Sequence, residues 1–179
     1  KIMTESMVKS QSHHANTELV QELTENTVTG GVAMINHALA EMWQETDDIL
    51  MHDWYLALLA SAFGNLVFID QPGELYRQHS DNVLGARTLS KRFKKWIRPH
   101  ILFAVYWDLI KNSQKQARHL LQMPLSQSNR ELIEAFVTIM DKSMLERFRI
   151  LRKYGLRKNK AFHTLVFTTL IVTKFAYKE

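Results

Sequence analysis

Seven apolar residues, Ile133, Phe136, Val137, Met140, Met144, Phe148 and Leu151, fall at i, i+3, i+4, i+7, i+11, i+15 and i+18. At 3.6 residues per turn this spacing paints one continuous stripe along a helix. Such a helix is stable only where the stripe is buried against other elements. Ser126–Asn129 supplies a start for it and Gly155 a stop. The preceding segment, Ile101–Met123, reads as a long helix broken by Pro124. Ahead of it lies a basic stretch, residues 88–98, stopped by Pro99. A last apolar segment, Ala161–Tyr177, reads as helix, although its Thr and Val content leaves a strand open. Past Gly85 the expectation is therefore a helical bundle.

The first part has a different texture. Residues 1–25 are polar and predict a loop leading into a short helix over Thr17–Leu23. Val28–Asn36, which contains a Gly pair, predicts a turn and a short strand, and His37–Gln44 a helix. Asp47-Asp48 is placed to cap a helix over Ile49–Phe63, with Gly64 at its C-terminal end. Leu66-Val67-Phe68-Ile69 predicts a short buried strand closed by the Asp70-Gln71-Pro72-Gly73 turn, with Glu74–Arg77 as a further extended piece. The expected fold is mainly α with a few short β-strands, a partial α/β unit over 1–86 followed by a basic helical domain over 87–179.

Charge divides the chain at nearly the same place. Residues 1–80 hold 3 Lys/Arg against 11 Asp/Glu, and residues 81–179 hold 20 against 7. A basic second half suits anionic lipid, polyphosphate or nucleic acid, and equally a set of solvated helix faces. With 179 residues, 46% of them apolar, the chain can bury one ordinary core or a small core with a helical appendage. The absence of cysteine excludes disulfides, thiolate metal sites and a Cys nucleophile, and agrees with a reducing, cytoplasmic setting. The N-terminus, Lys1-Ile2-Met3, has neither an initiator Met nor an apolar signal segment, so an internal piece of a longer protein is expected. Ala161–Tyr177 is too short and too polar to cross a bilayer.

Chemistry concentrates in three strings: Asn26-Thr27-Val28-Thr29-Gly30-Gly31-Val32-Ala33-Met34-Ile35-Asn36, Met51-His52-Asp53-Trp54-Tyr55, and Leu75-Tyr76-Arg77-Gln78-His79-Ser80-Asp81-Asn82-Val83-Leu84-Gly85. Asp53 falls in the first turn of its expected helix, where the dipole and free amides stabilise an anion. His79 can offer a ring nitrogen to a cation or a charged ring to a phosphate. Glycines at 30 and 31 let backbone amides approach a substrate.

In order and spacing, the three strings resemble the second half of family 2 glycosyltransferases, the rhamnosyltransferase-like branch in particular, over about residues 20–87. The resemblance implies a C-terminal fragment of a GT-A α/β domain and an inverting transfer of a sugar, such as rhamnose, from a nucleotide-sugar donor to a glycan or lipid-linked acceptor in bacterial polysaccharide synthesis. Inversion needs a base on the acceptor hydroxyl and positive charge at the departing diphosphate. By resemblance Asp53 is the general base and His79 the metal or diphosphate group. Thr29, Gly30, Gly31, His52, Trp54 and Arg77 are then substrate-binding, with Asn26 and Asn36 beside the Gly pair. Mixed His and carboxylate ligation implies Mg2+ or Mn2+. The family's nucleotide-binding βαβ unit and Asp-x-Asp motif are absent from these residues, which implies feeble donor binding and no activity without a donor half. It also implies work at the cytoplasmic face of a membrane, with 87–179, through Phe93, Trp96 and Ile97 among basic residues, touching anionic lipid. Oligomerisation is compatible with the 133–151 stripe, and no nucleic-acid partner is expected.

Two other classes compete. His52-Asp53 also fits the dyad of a helical HD-type metal phosphohydrolase, with His13 or His14 and Asp141 as further ligands. The basic half alone fits a non-enzymatic helical module for membranes or nucleic acid, although no recognised nucleic-acid motif is present.

Overall fold

A computed structural model describes residues 14–43, 49–74 and 99–177, with side chains from 103 onward in the last of these segments. Seven α-helices are found there: α1 (Leu19–Glu22), α2 (His37–Glu41), α3 (His52–Phe63), α4 (Pro99–Leu120), α5 (Gln127–Val137), α6 (Met144–Tyr154) and α7 (Ala161–Thr173). Single 3-10 turns occur at Gly30–Val32 and Ile139–Asp141. In the described residues α1 and α2 pack on α3, α3 on α4, α4 on α5, α5 on α6, and α6 on α7. One core results, taking Leu23, Tyr55, Leu58 and Leu59 from the first part and Leu120, Ile133, Phe167 and Leu170 from the second.

The expected α/β fragment is corrected: the described residues form helices and no strand. Val28–Asn36 contains the 3-10 turn and an exposed stretch in which Met34 is 88% accessible. Leu66–Ile69 forms no strand, and Val67 is 75% accessible rather than buried. β-branched residues favour strands because they pack on a pleated, half-buried surface. With no neighbouring strand among the described residues, that advantage is lost.

The long stripe is also divided. Thr138 leaves helical geometry at φ −102°, ψ 3°, and Ser143 begins a new helix by accepting from the Glu146 amide while the Glu146 carboxylate accepts from the Ser143 amide. This reciprocal capping box satisfies two amides that a helix start leaves open. Ile133, Phe136, Val137, Met140 and Leu151 are buried, whereas Met144 and Phe148 point out at 54% and 48% accessibility. The helix ends at Gly155, whose φ of +68° is the left-handed conformation glycine adopts without a Cβ penalty. Pro99 is the first described residue of α4, and the 88–98 stretch that it was expected to stop lies outside the described residues.

Side chains close the exposed ends of short elements. A four-residue helix such as α1 is unstable alone. Here the Trp54 indole donates to the Glu22 carbonyl (2.7 Å) and Ser113 Oγ to the Leu23 carbonyl (2.6 Å). Thr24 Oγ1 donates to the Arg157 carbonyl (2.6 Å), and Lys158 Nζ to the Thr24 carbonyl, so the loop after α1 is tied to the α6–α7 loop. No described helix is long and apolar enough to cross a membrane.

Candidate functional site

The entrance of α3 carries the site. Met51 occupies the capping position in extended geometry and offers no side-chain cap, so the amides of the first turn need other acceptors. Asp53 Oδ1 accepts from the Trp54 amide at 2.7 Å. Its other oxygen, Oδ2, accepts from the Gly30 amide at 3.2 Å, across 23 residues of sequence. Two amides and the N-terminal helix dipole thus converge on one carboxylate that is 9% accessible. Each oxygen keeps a further acceptor position.

The Gly30–Gly31 turn is held close by its neighbours. A Cβ on Gly30 would stand 2.6 Å from His52 Nε2, and one on Gly31 would stand 3.0 Å from a Glu74 carboxylate oxygen. The turn therefore lies between the His52-Asp53 pair and Glu74. Beside it is an open apolar hollow of about 340 Å³ lined by Ile35, Ala40, Trp43, His52 and Leu56. Trp43 is fixed edge-on against Tyr55, with ring centroids 5.7 Å apart.

Gly30, Gly31, His52 and Asp53 are thus brought together. Thr29 is exposed and precedes the 3-10 turn, its carbonyl accepting from the Val32 amide at 3.1 Å. Trp54 points the other way, 3% accessible, into the contact with Glu22 described above. Asn26 accepts from the Val28 amide and Asn36 from the Leu39 amide, so both shape backbone turns. Arg77, His79, the Asp47-Asp48 cap and the 88–98 stretch lie outside the described residues, and with them the expected convergence of Asp53 and His79. Glu74 and the hollow were not singled out from sequence. Glu74 follows a turn with no motif of its own, and the hollow's residues come from three separate segments.

A divalent cation finds no ligand set in the described residues, where no three His, Asp or Glu side chains gather. What the arrangement offers is proton acceptance: an acid with fixed orientation, an imidazole at its flank, and an apolar surface next to it.

A second carboxylate is deeper. Glu22 is fully buried, and Thr27 Oγ1 donates to its Oε1 at 3.2 Å while Oε2 has no partner. Burial, only partly offset by the Thr27 hydrogen bond, pushes its pKa up to about 8. Lys158 is displaced in the opposite direction, downward, because burial outweighs the favourable Glu25 charge.

Among the described residues, fold and site together define a helical arrangement that presents an amide-held carboxylate at a helix entrance, against a Gly-Gly turn. Comparison with protein-family models, with curated protein sequences and with solved structures finds no match to this chain.

Proposed function

We propose that this chain takes part in inverting sugar transfer, with Asp53 as the base that removes the acceptor hydroxyl proton. The observation that carries the reading is the Gly30 amide bond to Asp53 Oδ2, which joins two of the three sequence strings at one point. As the proton leaves, the acceptor oxygen attacks the anomeric carbon from the face opposite the departing diphosphate, and Asp53 takes the proton. Holding the carboxylate by two amides fixes the direction of its free lone pairs, which reduces reorganisation at the moment of transfer. His52 is proposed to flank the acceptor, and the hollow lined by Ile35, Trp43 and Leu56 to accommodate an apolar part of it. The reading carries with it a nucleotide-sugar donor, a glycan or lipid-linked acceptor, and a cytoplasmic, membrane-peripheral place of work.

The test is Asp53→Asn introduced into the native gene. Asn keeps the shape and an acceptor oxygen for the Gly30 amide but is no base. Loss of glycan transfer with unchanged protein level is expected, and retained transfer refutes the assignment.

The helical architecture favours one second reading, an HD-type phosphohydrolase centred on His52-Asp53. It requires further ligands, and His14 is exposed while His13 lies outside the described residues. Metal-dependent hydrolysis of a phosphodiester, lost in both His52→Ala and Asp53→Asn, would decide for it.

A further inference from the structure

The hairpin α6–α7 turns an unusual surface outward. On α6, Leu145, Phe148, Arg149 and Arg152 recur at i, i+3, i+4 and i+7, opposite the buried Arg147 and Leu151. Leu145 is 63% and Phe148 48% accessible. On α7, Phe162, Leu165 and Thr169 share the side opposite the buried Phe167, Leu170 and Ile171, with Phe162 58% and Leu165 65% accessible. Arg147 pins the start of α6 to the end of α7 by donating to the Val172 carbonyl from Nε (3.2 Å) and from a terminal guanidinium nitrogen (2.6 Å), so the two helices run antiparallel as one unit. Large apolar side chains thus occupy the outward sides of two neighbouring helices.

Charge selects what covers them. Residues 142–177 hold nine Lys/Arg against one acidic residue, Glu146. Among them Arg149, Arg152, Lys153 and Arg157 are exposed. A second copy placed face to face would bring two such excesses together and be repelled. Nucleic acid would satisfy the cations and leave Leu145 and Leu165 in contact with nothing apolar. An anionic bilayer satisfies both requirements, with phosphates for the cations and acyl chains for the four apolar side chains of helices lying in the interface plane.

We propose that the outward side of the α6–α7 hairpin is a docking surface for an anionic lipid bilayer. The sequence assigns an anionic-lipid contact to 87–179 as a whole, through Phe93, Trp96 and Ile97; the proposal places it on α6–α7 within that half, and it does not rest on the sugar-transfer reading.

The experiment is co-sedimentation of the full chain with vesicles of phosphatidylcholine alone or mixed equally with phosphatidylglycerol, at low and high salt. Binding at least tenfold tighter to the anionic vesicles, weakened by salt, is expected. The triple variant Leu145→Ser, Phe148→Ser, Leu165→Ser should lose about tenfold in affinity while its circular dichroism and melting temperature hold. Arg149→Gln with Arg152→Gln should remove most of the preference for anionic lipid. Absence of binding at low salt overturns the proposal, as does binding undiminished in the triple variant, which would assign it to other basic segments. Self-association of the wild type that the triple variant abolishes also overturns it, by making the surface a contact between copies.

Discussion

The Gly30 amide points at Asp53 Oδ2, 3.2 Å away, and the His52 ring occupies the space that a side chain at position 30 would need. Turn and helix entrance therefore constrain each other. Gly30 is required here for close approach, since the atom in the way belongs to the reactive-looking pair itself.

Gly30→Ala is expected to displace the His52 ring, which is exposed and able to move, with a stability cost of about 1 kcal/mol or less. If the site transfers sugar, transfer should fall far more than stability does. Chemical denaturation read beside glycan transfer in cells separates the two, and equal losses in both would reduce Gly30 to a structural role.

Glu22 sets a pH dependence. Its folded pKa of about 8 lies above the ordinary value of 4.5, so between these the folded state keeps a proton that the unfolded chain has released. Stability from this group is fully present below about pH 4.5, falls as pH rises toward 8, and levels off above it. The gap corresponds to roughly 5 kcal/mol as an upper bound. Glu22→Gln should match the wild type near pH 4 and exceed it at pH 9. Urea denaturation of both proteins across that range measures the difference, and parallel curves would contradict the buried neutral carboxyl.

Arg147 is 7% accessible and spends its guanidinium on backbone carbonyls, those of Val172 at the end of α7 and Lys142 before α6. A cation at a helix C-terminus is favourable, and hydrogen bonds to a charged group are among the stronger ones. Arg147→Met should cost about 2–3 kcal/mol. Arg147→Lys should rescue little, because an ammonium cannot reproduce the planar fork. Full rescue by lysine in thermal denaturation would show that charge alone matters.

Gly155→Ala isolates a backbone effect. Nothing lies within 4 Å of the Cβ that would be added, so the cost comes from the left-handed φ of +68° and should be about 1–2 kcal/mol. Gly155→Asn should cost less, since Asn tolerates this conformation. A neutral alanine variant in a melting experiment would mean the helix end can rearrange.

Several stops and starts that depend on neighbouring residues were legible in the chain, although α3 begins at His52 and not at Ile49. Pro124, Gly64 and Gly155 mark helix ends, Ser126 a helix start, and apolar spacing the buried sides of α3 and α5, because capping and periodicity act within one or two turns. Ser143 and Glu146 carried the signal for the break in the 133–151 stripe, a capping box that the uninterrupted apolar spacing hid. Of the site, the residue types at 30, 31, 52 and 53 were readable as candidates for chemistry.

Only the tertiary structure decided that Gly30 meets Asp53, that Trp54 turns into the core, that Glu22 is shut away from water, and that Val67 and Ile69 stay exposed rather than joining a sheet. Each of these outcomes depends on a partner far along the chain. A carboxylate's neighbours and a strand's hydrogen bonds are supplied by whatever the rest of the fold brings alongside, and local spacing holds no record of that.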